Sequence, residues 1–159
     1  MDFWIRYASL EDMPQVNALR KHVNTLHAEG RPDIFRSDFC QELQQHVYEE
    51  LMSETSDVIV AVSGEMVCGF VTAQYIARTE SPYNKPRCFY RIEEFGVAPE
   101  FRRQGIATAL IAFCREEAHK RGFPRIELDV WEFNQDAQKF YQAVGFQTYR
   151  RYMEMDIPE

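Results

Sequence analysis

The stretch Arg102-Arg103-Gln104-Gly105-Ile106-Ala107-Thr108 combines charge, one glycine and small side chains. It stands where a strand-like run ending at Gly96-Val97-Ala98-Pro99 gives way to helix-forming sequence. A helix N-terminus suits an anion, because its first amides have no acceptor within the helix and the macrodipole adds about half a positive charge there. Gly105 lets a phosphate or pyrophosphate approach the backbone closely, Ala107 and Thr108 keep that approach open, and Arg102 and Arg103 bring mobile positive charge. Taken alone, the stretch reads more readily as a plain, tight strand-to-helix connection. Neither G-x-x-x-x-G-K-[ST] nor a G-x-G-x-x-G following a strand occurs, which sets aside two other phosphate loops.

Carboxylates mark the neighbouring strands. Glu93 and Glu94 interrupt an otherwise apolar run, and strict alternation puts Glu93, Phe95 and Val97 on one face with Ile92, Glu94 and Gly96 on the other. Further on, Glu127 and Asp129 share a face, opposite Leu128 and Val130. Buried charge is costly unless partnered, so each carboxylate is either a proton acceptor or simply a solvated or structural group. Histidines 22, 27, 46 and 119 show no H-E-x-x-H spacing, so no metal site is expected. His27 precedes Arg31-Pro32-Asp33-Ile34-Phe35, a segment that either contacts a ligand or simply turns the chain.

Several elements must position these groups. A strand is predicted over 3–7, and Ser9 with Asp12 then resembles a capping box. Met13, Val16, Leu19, Val23 and Leu26 recur at helical spacing and predict a first helix to about His27. A second helix is expected from a cap at Ser37 to Met52, then a hairpin of strands over 58–62 and 66–77 turning at Ser63-Gly64. A fourth strand over 88–97 leads into the helix after the glycine, which carries Ile106, Leu110 and Phe113 inward and stops at Gly122. A fifth strand over 125–131, a helix over 135–144 and a last strand or strand pair within 146–155 complete the order. Antiparallel strands followed by a β-α-β unit imply an α/β fold with a mixed, largely antiparallel sheet of six to seven strands and about four helices on its faces.

Composition bounds the rest. The chain has 159 residues, 45% hydrophobic and 14% aromatic, and is expected to form one globular domain over 1–159. Its formal charge of −7 argues against general affinity for nucleic acid or for anionic membranes, so a polyanionic ligand needs a local basic patch. No apolar run of spanning length and no signal-peptide pattern appear, and the four cysteines at 40, 68, 88 and 114 form no C-x-x-C pair. A soluble protein with free thiols in the cytoplasm is the expectation.

In this order of elements the chain resembles the GNAT superfamily of N-acetyltransferases. Arg102-x-x-Gly105-x-Ala107 is similar to that family's acetyl-CoA pyrophosphate motif, [Q/R]-x-x-G-x-[G/A]. Asn134, Tyr141 and Gly145-Phe146 match a second family pattern downstream. The resemblance implies that the pyrophosphate of acetyl-CoA rests on the amides from about Arg103 through Gln104, Gly105, Ile106 and Ala107 to Thr108. It implies that the pantetheine arm pairs with backbone near Phe95 and Val97, with a bulge at Gly96-Val97, and that Asn134 caps its helix, bonds the cofactor, or does both. Tyr141 is similar to the family's general acid at the CoA sulfur. A strand-four glutamate, preferably Glu93 and otherwise Glu94, would be the base, with Asp129 as a further candidate. The first two helices and their connection, including His27, Arg31 and Phe35, would line the acceptor pocket together with Glu93. Direct transfer to a primary amine follows, the competing reading being a silent acyl-CoA-binding domain; homodimers are frequent in the family.

Overall fold

In the computed structural model, residues 2–159 are described. They fall into two compact units, Met1–Asp129 and Val130–Glu159. The first unit holds one sheet in the order β1-β2-β3-β4-β5, formed by β1 (Trp4–Tyr7), β2 (Ser56–Ser63), β3 (Met66–Arg78), β4 (Arg87–Val97) and β5 (Ile126–Glu127). The first four strands are antiparallel neighbours, and β5 joins β4 in parallel. Three helices belong to this unit: α1 (Met13–Gly30), α2 (Gln41–Met52) and α3 (Ile106–Lys120).

Alternation along β2 and β3 builds two buried faces. Val58, Val60, Val62 and Phe70 pack with Met13 and Val16 of α1 and Val47 of α2. On the opposite face Gly69 receives α3: a Cβ there would lie 3.0 Å from Ile106 and 3.1 Å from Leu110. The missing side chain therefore lets the start of α3 sit against the sheet. Ile106 and Leu110 are buried as the periodicity predicts, with Ile111, Cys114 and Ala118 beside them, while Phe113 is half-buried edge-on to Tyr7. The far end of the sheet closes on a polar knot in which the hydroxyls of Tyr75 and Tyr90 donate to the buried carboxylate of Asp57 at 2.5 and 2.8 Å.

Ser9 opens a short 3-10 turn over Leu10–Asp12, and its amide donates to Asp12 Oδ2 at 2.8 Å, as the capping-box spacing suggested. The first helix runs on to Gly30, past the expected end at His27. The second begins after Cys40 and not after Ser37.

The expected six or seven strands are five. Strand β5 covers Ile126–Glu127 instead of 125–131, since it pairs with β4 only at Tyr90 and Arg91. In the second unit α4 (Gln135–Ala143) forms as expected, but the described residues 144–159 contain no strand. A strand exists only as a member of a ladder, and the tail sequence supplies strand-forming side chains without the paired backbone. Tyr152, Met153, Met155 and Ile157 are all more than 80% exposed.

Candidate functional site

Past β4 the chain makes a 3-10 turn at Pro99–Phe101, and Arg102 leaves it extended. Arg103 and Gly105 then adopt left-handed conformations, with φ of +61° and +84°. A Cβ on Gly105 would touch nothing within 4 Å, so it is the backbone conformation, not crowding, that calls for glycine. The first bond of α3 runs from the Ala109 amide to the Gly105 carbonyl at 3.0 Å. The amides of Ile106, Ala107 and Thr108 consequently have no acceptor within the helix. No side chain caps this end, and Arg102, Arg103 and Gln104 are exposed around it while the side chain of Ile106 is buried beneath. Outward amides, a helix dipole and two guanidiniums make a cradle fit for a pyrophosphate.

The adjoining strand departs from simple alternation. Thr72 of β3 faces Glu94, while the next residue, Ala73, faces Ile92, which leaves Glu93 as the extra residue of a bulge. Ile92 and Glu94 therefore lie on opposite faces of the sheet, not on one. The bulge is at Glu93 and not at Gly96-Val97, where the register with Phe70 and Gly69 is regular. A bulge increases local twist and ends pairing, and β4 and β5 part just beyond Arg91 and Glu127. Glu127 is buried and held by Arg87, which removes it from the open mouth.

Charged groups converge from α1 and α2 onto the bulge. Arg20, 1% exposed, donates from Nε to both oxygens of Glu94 at 3.2 and 3.1 Å and from Nη2 to Oε1 at 2.9 Å. Its Nη1 is shared between Asn17 Oδ1 and the Leu43 carbonyl, both at 2.8 Å. The Glu94 amide in turn donates to Thr72 Oγ1 at 3.2 Å. Glu93 turns to Arg91, with which it forms an ion pair. Glu50 of α2 is buried at 4% exposure; its oxygens accept no hydrogen bond, and Nε2 of His46 stands 3.4 Å from Oε1. Burial, reinforced by the charge of Glu94 and opposed by Arg20, pushes the Glu50 carboxyl up to about 7.

The expected acceptor-side residues meet at the end of α1. His27 is half-buried and stacked on Phe35, with ring centroids 5.1 Å apart, and Arg31 pairs with Asp33 at 2.8 Å in the same connection. Burial lowers the His27 imidazole below its ordinary range, against the opposing fields of Glu94 and Asp129. Two candidates from other segments, Glu94 and Asp129, are thus within electrostatic reach of His27. Arg20 and Glu50 were missed by sequence reading; Arg20 occupies the buried stripe of α1 beside Met13 and Val16, and a cation at such a position signals a buried partner.

In the second unit Asn134 caps α4, its Oδ1 accepting from the Ala137 amide at 3.2 Å. Tyr141 is half-buried among its own neighbours, its ring 5.6 Å from those of Phe140 and Phe146. Gly145 follows with φ of +109°. Among the described residues, no group of three or more His, Cys, Asp or Glu is placed to hold a metal ion, and no helix is long and apolar enough to cross a membrane.

The family model for the acetyltransferase (GNAT) family matches residues 20–146, which include the cradle, the bulged strand and α4. The chain belongs to the GNAT family. Its curated relative MJ1207 of Methanocaldococcus jannaschii, an uncharacterized N-acetyltransferase, is 46% identical over 56 residues, 35% of this chain. The match spans 25% of that relative's own length. Among solved structures, a substituted form of the BH1408 protein from Bacillus halodurans superimposes with a TM-score of 0.93 at 26% identity, covering 98% of this chain and 99% of that one. The same fold is seen in AAC(6')-Iy, solved with the bisubstrate analogue CoA-S-monomethyl-acetylneamine, at a TM-score of 0.78 and 20% identity over 99% of each chain.

Proposed function

We propose that this protein is an acetyl-CoA-dependent N-acetyltransferase that moves the acetyl group directly to a primary amine, its two units working as one domain. The observation that carries the reading is the cradle: left-handed Arg103 and Gly105 present the amides of Ile106, Ala107 and Thr108 at the N-terminus of α3, beside Arg102. The family model spanning both units supports it, as does a neighbour of the same fold solved with a CoA-linked analogue. Acetyl-CoA supplies an acetyl group activated as a thioester. Backbone from Arg103 through Gln104 to Thr108 holds its pyrophosphate. Backbone near Phe95 and Val97 aligns the pantetheine arm, in the manner of a strand added to a sheet edge, where β4 and β5 have parted. Asn134 sets the start of α4, and Tyr141 donates the proton that the departing thiolate requires.

The acceptor approaches as an ammonium. Glu93, Glu94 and Asp129 give the mouth of the parted strands its negative charge, and His27, Arg31 and Phe35 form a wall on the α1 side. No cysteine-bound acyl group is needed: Cys68 and Cys114 are buried, and Cys40 and Cys88 belong to neither the Arg102–Thr108 turn nor the carboxylate pair of β4. The four free thiols suit a cytoplasmic setting. The test is thiol release from acetyl-CoA against a panel of amines and peptides. Acetyl-CoA-dependent release with at least one amine is expected; tight CoA binding with no acetylated product would overturn the enzymatic reading.

A further inference from the structure

An alkylammonium has a pKa of about 10 and must lose a proton before its nitrogen can attack a thioester. Arg20, Val23 and His27 recur at three- and four-residue spacing and so share one face of α1. That face lies along β4: Arg20 is fixed on Glu94, and a Cβ on Gly96 would meet Val23 at 3.0 Å. His27 stands one turn beyond Val23, stacked on Phe35 with an interplanar angle of 21°. The two carboxylates whose charge reaches it, Glu94 and Asp129, belong to segments beyond the last β4–β5 pair, Arg91 with Glu127. The imidazole is therefore held by its stacking on Phe35, on the helix face that runs along β4.

We propose that His27 is the catalytic base, taking the proton of an acceptor ammonium drawn in by Glu94 and Asp129. This inference rests on the acetyl-transfer reading above. The strand-four carboxylates are otherwise engaged, both oxygens of Glu94 by Arg20 and Glu93 by Arg91. The carboxylates whose charge acts on the imidazole include Glu94 from β4 and Asp129 after β5; Arg20, on the same helix face, is paired with Glu94, and Arg31, in the adjoining turn, with Asp33. Burial keeps the imidazole below its ordinary range, hence neutral and able to accept at pH 7. The ammonium gives one proton to His27, and its nitrogen then attacks the carbonyl carbon, the C–N bond forming as the C–S bond breaks. The second nitrogen proton balances the thiolate, which leaves as thiol, and the imidazolium returns its proton to water. One proton is released per acetyl group transferred.

Two measurements decide the assignment. In a nitrogen-15 NMR titration of the unsubstituted protein, with each of the four histidines identified by its single His→Gln variant, His27 is expected to titrate below the ordinary imidazole range. A midpoint at or above that range overturns the proposal, and this holds even where His27→Gln does not fold. In thiol-release assays with the best amine of the panel, His27→Gln is expected to lower kcat/KM by about 100-fold or more and to abolish the acidic limb of its pH profile, with KM for acetyl-CoA unchanged. An acidic limb and rate retained in the variant overturn His27 while leaving the acetyl-transfer reading intact. Absence of any acetylated amine with the unsubstituted protein overturns both.

Discussion

Arg20 of α1 and Glu94 of β4 are joined by three hydrogen bonds of 2.9 to 3.2 Å, the arginine side chain being 1% exposed and the glutamate 27%. This pair ties the first helix to the strand directly after its bulge, and so fixes where His27 stands relative to the open mouth. Removing one partner strands the other's charge. Arg20→Leu is expected to cost about 3 kcal/mol in urea unfolding, and adding Glu94→Leu to restore part of it, the sign expected when an uncompensated charge is the dominant penalty. Equal, additive losses from the two substitutions would show that the pair is not coupled.

Glu50 is the buried acid that this arrangement leaves exposed to an unfavourable field. Its folded-state pKa of about 7 exceeds the ordinary 4.5, so the protonated form is favoured by folding. The contribution to stability is fully present below pH 4.5 and is lost as pH rises through about 7. The linkage amounts to about 3 kcal/mol at most. Melting temperatures followed from pH 4 to about 8 are expected to fall less in Glu50→Gln than in the parent, since the amide stays neutral throughout. Parallel curves would place the titration elsewhere.

Gly105 stands at φ of +84° with open space where a side chain would be. Gly105→Ala is expected to cost about 1 kcal/mol through backbone strain alone. Gly105→Val is expected to keep the fold and to weaken CoA binding by at least about tenfold, because a branched side chain resists the left-handed turn that aims the α3 amides. Calorimetry with CoA checks this, and parent-like affinity would remove the cradle from the binding site.

Tyr141 is assigned a proton needed chiefly as the thiolate leaves. For Tyr141→Phe the expected change is a fall in kcat of about 100-fold, with KM for acetyl-CoA altered by less than about twofold. Steady-state kinetics at saturating amine measures both. A rise in KM at unchanged kcat would make the tyrosine a binding group instead.

The glycine turn into α3 was legible in the sequence because its requirements are local. A glycine tolerant of positive φ, small residues after it and arginines before it are determined by neighbouring backbone, and the structure puts Arg103, Gly105 and the start of α3 where the spacing predicted. Helix periodicity likewise located Met13, Val16, Ile106 and Leu110 in the core. The strand count was less legible: 146–155 was expected to supply a last strand or strand pair, but pairing is a property of two segments. The same limit applies to β5, whose sequence continues to look like a strand after its partner has bent away.

What the sequence determined by itself was the family motif, the order of elements and the set of polar residues available for chemistry. Only the tertiary structure decided which of those residues face one another. One extra residue at Glu93 inverts the alternation of β4, so that Glu94 turns to Arg20 beneath α1 and Glu93 to Arg91. The helix spacing of Arg20, Val23 and His27 then carries an imidazole along β4 to where the charges of Glu94 and Asp129 reach it, an interaction of residues far apart in the chain. Period-two reasoning cannot foresee a bulge, because the bulge is set by the register of β4 against β3 and not by the residues of β4 alone.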